Sequence, residues 1–276
     1  MRSAAYNDPK HPVPLRDRIA CIIPLYIPQG RTKDYGHFIE DKFETLKMNL
    51  ACHQHYQSGL PYDIILVNNS SPQDADYFAD QYRTLDRKNS GYGFGAWKYA
   101  WEQLKDDYDF FLFTEDDIAP TDNGWLARIF RRFDQDPLTG ALGNYVEAHG
   151  VDPISSQVLR LLGSTRDVVY CLDGGWTFTS TKILRQVDKI GGLPVFPCQP
   201  ESELDATVNE LAFQQPILEL GYWLDSFDGD HYIIHGSEVF TGDLSSAEGP
   251  MAPLINLNAR HKIARVREHF AWYENK

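Results

Sequence analysis

The segment Phe110-Phe111-Leu112-Phe113-Thr114 is apolar and aromatic and then ends in three consecutive carboxylates, Glu115, Asp116 and Asp117. An unbroken apolar run of this kind is the pattern of a strand buried on both faces, as in a parallel sheet covered by helices. The acids that follow it then stand just past the carboxyl end of a central strand, where open α/β sheets bind ligands. Three adjacent anions repel one another. A hard divalent cation bridging to phosphate oxygens relieves that repulsion, since Mg²⁺ usually takes one or two carboxylates plus phosphates. A solvated surface turn is the competing reading of such a triplet, and the rest of the chain decides between them.

Other segments alternate around this strand. Ile19-Ala20-Cys21-Ile22-Ile23-Pro24-Leu25-Tyr26 reads as a first buried strand, stopped by Pro28 and Gly30. Phe38, Phe43, Leu46, Leu50 and Cys52 then recur at helical spacing. Residues 62–67 read as a second strand, Asp74 to Leu85 as a helix, and roughly Ala96 to Leu104 as another, opened by Gly91-Tyr92-Gly93-Phe94-Gly95. Strands alternating with helices predict a parallel, Rossmann-like sheet. Farther on, the pattern predicts a helix over Trp125–Phe133, a strand over 140–146, and a strand from Asp173 to Thr179 leading into a helix near Thr181–Lys189. Leu204 to Leu220 reads as helical with a break at Pro216, and Trp223 to Ile234 as extended. Residues 150–168 give no clear signal.

Bulk composition excludes some functions. The 39 acidic residues against 26 Lys and Arg leave a formal charge of −13 across 276 residues. Nucleic-acid affinity comes from clustered cations, so no nucleic-acid partner is expected. The start of the chain has no apolar core of the secretory type, and no apolar run reaches bilayer length. Cys21, Cys52, Cys171 and Cys198 show no metal-ligand spacing and read as free, mostly buried thiols of a reducing compartment. The expectation is a cytoplasmic protein. A basic helix near residues 256–273, with Arg260, Lys262, Arg265 and Arg267, leaves peripheral attachment at the inner face of a membrane open.

Parallel topology gathers three loops on one sheet edge: Asn68-Asn69-Ser70-Ser71, the glycine-rich turn at 89–95, and the acidic triplet. Asn68 and Asn69 carry donors and acceptors suited to a base or ribose edge, although such residues also make plain turns. Amides at the start of the helix after Gly91 can face phosphate. His53 and His55, two apart on a helix, point to different faces and read as solvated side chains, not ligands. Trp97, Trp101, Trp125, Trp176 and Trp223 read as packing residues by default, with Trp176, beside Gly174 and Gly175, open also to a role at a ligand face.

In order and spacing, Ile22–Tyr26, Ile64–Ser71, Asn89–Gly93 and Glu115–Asp117 resemble the motifs of GT-A-fold glycosyltransferases, most closely those of the inverting family 2 type. Gly174–Thr179, Asn209-Glu210 before Gly221-Tyr222, and His235-Gly236 extend the resemblance to roughly residues 19–240. It implies an α/β, Rossmann-like GT-A fold with a central, mostly parallel sheet and a C-terminal helical extension. The expected organisation is an arm over 1–18, a glycosyltransferase domain over 19–245 (a nucleotide-binding half to 120, then an acceptor half), and an extension over 246–276.

The resemblance also implies roles. Pro24, Tyr26, Asn68, Asn69, Ser70, Asn89, Gly91, Gly93, Glu115 and Asp116 would surround a nucleoside-diphosphate sugar, with Asp117 and His235 toward Mn²⁺ or Mg²⁺. Gly174, Gly175 and Trp176 would line the donor and acceptor sugar pocket. Glu210 would be the general base, with Glu201, Glu203 and Asp205 as alternatives. The implied reaction moves a sugar, with inversion, to a hydroxyl of a glycan, lipid-linked or small-molecule acceptor, in glycan or polysaccharide synthesis. Two departures, Asn68-Asn69 for an acidic turn and Asn209-Glu210 for a Glu-Asp pair, keep a non-catalytic sugar- or partner-binding protein open. A sugar nucleotidyltransferase would want a Gly-rich, cationic loop after the first strand, which Pro24 to Gly30 does not provide.

Overall fold

The computed structural model describes residues 18–34, 39–120, 123–143, 145–149, 169–173, 175–195, 203–226 and 233–235. Expectations for the N-terminal arm, for residues 150–168, for Gly174, Glu201 and Cys198, and for the C-terminal extension with its basic helix lie outside the described residues.

The elements in chain order begin with β1 (Ile19–Leu25), β2 (Thr32–Asp34), β3 (Ile39–Asp41) and α1 (Lys42–His55). Next come β4 (Asp63–Asn68), α2 (Ala75–Ala79), β5 (Arg83–Asp86), α3 (Tyr92–Leu104) and β6 (Phe110–Thr114). They continue as β7 (Ile118–Pro120), α4 (Trp125–Asp134), β8 (Thr139–Gly143), β9 (Tyr145–His149), β10 (Val169–Asp173) and β11 (Trp176–Ser180). The described part ends with α5 (Thr181–Lys189), α6 (Glu203–Phe213), α7 (Gln215–Glu219), β12 (Trp223–Ser226) and β13 (Ile233–His235).

Seven strands form one sheet in the order β12-β8-β11-β6-β1-β4-β5. β1 runs parallel to β4 and to β6, β4 parallel to β5, and β12 parallel to β8; β11 alone runs against its neighbours. The sheet is therefore mostly parallel, as the alternation of segments predicts. β6 shows why its run is unbroken. Phe110 contacts Phe130 and Phe133 of α4, whereas Phe111 meets Trp101 and Phe113 meets Trp97, both on α3. Successive side chains point to opposite faces of a strand, so helices cover both faces and both must be apolar.

Chain order leaves β1 by way of β4 and β5 on one side and returns as β6 on the other. That makes the gap between the ends of β1 and β6 a topological switch point. The β1–β6 ladder stops at Ile22 opposite Phe113. Pro24, which has no N–H to give, therefore sits where the sheet is already parting, and its buried ring packs under Gly93 of α3.

Several boundaries differ from the sequence reading. The helix read over 74–85 is only α2, and Arg83–Asp86 is instead the edge strand β5, its Thr84 and Leu85 paired beside Leu66 and Val67. Pairing with β4 overrides local helical spacing. α1 starts at Lys42, not near Phe38, because Asp41 caps it: its carboxylate accepts the N–H of Phe43 and of Glu44. α3 starts at Tyr92 rather than Ala96, since Gly91 (φ 74°) supplies the left-handed residue before it. Residues 139–149 make two strands, β8 and β9, in different sheets. His53 is not solvated. It is 4% exposed, its Nδ1 lies 2.9 Å from the Tyr62 hydroxyl, and its ring contacts Trp125. Cys21 and Cys52 are free and buried, burial raises the thiol pKa of both, and Cys171 is buried too.

Candidate functional site

The acidic triplet occupies the switch point. β6 ends at Thr114, and Glu115–Ile118 make a tight turn closed by the Ile118 N–H on the Glu115 carbonyl (3.4 Å) before β7 leaves. Three of the turn's carbonyls are held by one side chain. Asn49 of α1 donates from Nδ2 to the carbonyl oxygens of Glu115 (3.3 Å), Asp116 (3.0 Å) and Ile118 (2.7 Å). Trp97 of α3 donates to the Thr114 carbonyl at 3.1 Å. The turn is thus clamped from a helix on either side, unlike a loose surface loop.

The three carboxylates meet different surroundings. Asp117 is 6% exposed. Asp116 forms an ion pair of 2.7 Å with Lys42, the first residue of α1. Glu115 lies against Gly175, where a Cβ would come within 3.2 Å of its carboxylate. Burial lifts the Glu115 pKa well above the usual range, and the charges of Asp117, Asp116 and Glu210 push it further, with Lys42 opposing them. Glu210, half-buried on α6, is therefore near enough to the triplet for its charge to be felt there. Its neighbour Asn209 is fully buried. β13 pairs with β7 so that the His235 backbone stands opposite Ile118, next to Asp117 in sequence.

Among the described residues, no three His, Cys, Asp or Glu side chains form a ready-made metal cage. The donor set nevertheless fits a hard divalent cation. Its groups are carboxylate oxygens, they repel one another, and Mg²⁺ normally completes its shell with phosphate oxygens and water rather than with protein alone.

The neighbouring loops are strained and cross-linked. Ser70 (φ 57°), Asp74 (φ 59°), Tyr92 (φ 50°) and Arg31 (φ 66°) are non-glycine residues in left-handed conformations, and they follow β4, begin α3 and follow β1. Such outliers collect at functional sites. Asn68 is occupied locally: it donates to Asp86 (2.9 Å) and accepts the Ser71 N–H (2.9 Å). Asn69 is buried and accepts from Arg87, whose guanidinium also donates to the Ser90 carbonyl (2.7 Å). Ser70 Oγ donates to the Arg87 carbonyl at 2.8 Å. Half-buried Arg87 thus ties the loop after β4 to the glycine-rich turn, and burial lowers its pKa.

Of the residues singled out in the sequence, Glu115, Asp116, Asp117, Gly175 and Glu210 come together. Pro24, Gly91 and Gly93 build the adjoining β1–α3 junction, Asn89 is half-buried in the turn before it, and Tyr26 is 40% exposed at the end of β1. Trp176 is 2% exposed and belongs to the core rather than to an open cleft wall, because β11 places it opposite Thr114 inside the sheet. The helix that carries Glu203 and Asp205 is α6, the helix of Glu210. Sequence reasoning missed Lys42, Asn49 and Arg87. Lys42 and Asn49 left a faint signal, two polar residues seven apart on a helix otherwise read for its apolar face; Arg87 left none.

A family model described as glycosyl transferase family 2 matches residues 38–191, more than half of the chain. The match includes α1, the loops after β4 and before α3, the triplet and Gly175, and stops before Glu210 and His235. No curated protein matches the chain at the sequence level. Among solved structures, the chain is similar to S. aureus TarS 1–349 (12% identity, 94% of this chain and 73% of that one, TM-score 0.46). It is also similar to the catalytic domain of Drosophila β1,4-galactosyltransferase 7 in complex with xylobiose (13% identity, 79% and 70%, TM-score 0.44). A third is a CMP:2-keto-3-deoxy-manno-octonic acid synthetase complexed with CTP (10% identity, 76% and 89%, TM-score 0.44).

Proposed function

The chain belongs to glycosyl transferase family 2, and from that premise we propose that this glycosyltransferase moves a sugar from a nucleoside-diphosphate donor to an acceptor hydroxyl, with inversion and with the help of Mn²⁺ or Mg²⁺. The observation that carries the reading is the meeting of Glu210 with the triplet. Three carboxylates of the turn after β6 and one of α6 stand near the switch point, and after burial their charges raise the Glu115 pKa further. A fold has no structural use for such crowding, which raises the cost of each charge. A divalent cation, itself bound to the phosphate oxygens of a ligand, removes that cost.

Asp117 and Glu115 would hold the divalent ion, with His235 close by in the backbone register. The ion's contribution is to neutralise negative charge on the departing diphosphate. Asn69, Ser70 and the turn Asn89–Gly93, joined by Arg87, would seat the nucleotide, with exposed Tyr26 offering a face to the base. Glu210 takes the proton of the acceptor hydroxyl as that oxygen attacks the anomeric carbon. The bond from that carbon to the diphosphate oxygen breaks, and the electron pair leaves with the nucleoside diphosphate. Attack opposite the leaving group inverts the centre. The acceptor is a neutral or weakly charged glycan, lipid-linked or small-molecule hydroxyl, in keeping with a net charge of −13. Among the described residues no helix is long and apolar enough to cross a membrane.

The test is a panel of sugar nucleotides scored for nucleoside diphosphate release with Mn²⁺ or Mg²⁺, against the same panel with EDTA. Metal-dependent release from at least one donor, abolished in Asp117→Ala, is the expected result. Release that EDTA leaves untouched would remove the metal from the account, and binding of no sugar nucleotide would remove the reaction.

A further inference from the structure

Helix α1 turns one side toward the acidic turn, and the residues there are unlike those of a helix that merely packs. Lys42 and Asn49 stand seven positions, about two turns, apart and so project from one face. Lys42 directly follows the N-cap Asp41, where the helix dipole disfavours a cation. Its side chain is also only 10% exposed, and burying an ammonium is costly unless it is paired. Neither choice serves α1 as a helix. What compensates is Asp116, whose carboxylate, 16% exposed, lies 2.7 Å from Nζ.

Asn49 makes the same point independently. It is 1% exposed and its amide oxygen is buried with no hydrogen-bond partner among the described residues. An orphaned acceptor in a core position is a standing loss that an apolar residue would avoid. The amide nitrogen explains its presence, for it binds three carbonyls of the acidic turn. The Lys42 backbone is fixed too: its N–H donates to the Arg31 carbonyl at 2.9 Å.

We propose that Lys42 is a positioning residue for the glycosyl-transfer site: it withdraws the middle carboxylate, Asp116, while Asn49 fixes the turn's backbone, so that the triplet presents only Glu115 and Asp117 to the metal and diphosphate. The assignment rests on the metal-assisted reading above and divides the labour within it. The Lys42–Asp116 pair is neutral as a unit, which keeps the triplet's charge from rising to a level the fold would have to spread apart. It also explains why a consecutive triplet can act as a two-ligand element.

The test uses the full chain and two measurements, thermal unfolding and Mn²⁺ binding followed by loss of the free ion's paramagnetic resonance signal. Lys42→Met takes the ammonium away from the buried Asp116 carboxylate and lowers the unfolding midpoint by about 10 °C. Lys42→Met with Asp116→Asn recovers at least about half of that loss, and Lys42→Arg, which keeps the charge, stays close to wild type. In the binding arm Lys42→Met takes up Mn²⁺ about threefold more tightly or better, because the released Asp116 joins the donors. The double variant returns to the wild-type value, whereas Asp117→Asn weakens binding more than about tenfold. Should Lys42→Met fail to fold, Asp116→Asn alone carries the reading, with Mn²⁺ binding weakened far less than in Asp117→Asn. Additive midpoints, or Asp116→Asn weakening Mn²⁺ as much as Asp117→Asn, would overturn the proposal. A wild-type chain that binds no Mn²⁺ overturns the metal reading and the division of ligands with it, while the midpoints still judge the pair.

Discussion

Gly175→Ala is the sharpest single perturbation of the site, because the structure fixes both parts of its cost. Gly175 has φ +67°, a left-handed conformation that costs a side chain about 1–2 kcal/mol. A Cβ there would lie 2.4 Å from Ile118 Cδ1 and 3.2 Å from the Glu115 carboxylate. Ile118 is 2% exposed and has little room to turn away, so overpacking adds about 1–3 kcal/mol. The sum, about 2–5 kcal/mol, lowers the unfolding midpoint by roughly 5–15 °C for a chain of this size. Gly221→Ala is the control: its φ is +87° but none of the described residues lies within 4 Å of its added Cβ, so it carries the backbone cost alone. Because Glu115 must give by a few tenths of an ångström, Gly175→Ala also lowers metal-dependent nucleoside diphosphate release. Calorimetry and the release assay read the two effects. Midpoints equal for both variants, with wild-type turnover in Gly175→Ala, would refute the packing of Glu115 against Gly175.

Other predictions address the chemistry and the core. Glu210→Gln reduces sugar transfer about 10²–10⁴-fold while donor binding changes little; transfer that persists at the wild-type rate moves the base to another group. Arg87→Ala frees the loop after β4 from the glycine-rich turn, so it raises the donor KM more than it lowers kcat, as steady-state kinetics will show. His53 makes stability acid-sensitive. Burial lowers its pKa from 6.5 to about 3, so between those values the unfolded chain binds a proton that the folded chain refuses. Stability attributable to His53 is intact above pH 6.5 and falls as pH drops toward 3, by up to about 1.4 kcal/mol per pH unit. His53→Phe flattens the denaturation profile over that window, and an unchanged profile would show that another group titrates.

The sequence carried the sheet well where burial writes an unambiguous pattern. Ile19–Leu25 and Phe110–Thr114 must be apolar on both faces, so periodicity finds them with nothing else known. It carried β5 badly, because Arg83-Thr84-Leu85-Asp86 is an exposed edge whose identity depends on Ile65–Asn68 lying beside it. The triplet was legible because three adjacent charges are hard to place anywhere else. Its supports were not. Lys42 is a charged residue in the first turn of a helix, ordinary in sequence, and only the tertiary approach of α1 to the turn gives it Asp116. Asn68 reads as a ligand in sequence, yet its amide is engaged by Asp86 and the Ser71 N–H, contacts between β4 and its edge neighbour that spacing cannot reveal. Trp176 misleads for a related reason: glycines beside a tryptophan suggest a sugar platform, while the register of β11 against β6 turns the ring into the core.

On the proposed function, the crowded carboxylates receive a metal-bound diphosphate. The most direct measurement is Mn²⁺ binding to the wild-type chain and to Asp117→Asn, each with and without UDP, GDP or CDP, by the paramagnetic signal of the free ion. The wild type is expected to take up Mn²⁺ more tightly with at least one of these diphosphates, and Asp117→Asn to lose both uptake and tightening. Equal uptake by the two proteins, or uptake that no nucleoside diphosphate changes, would contradict the proposed function.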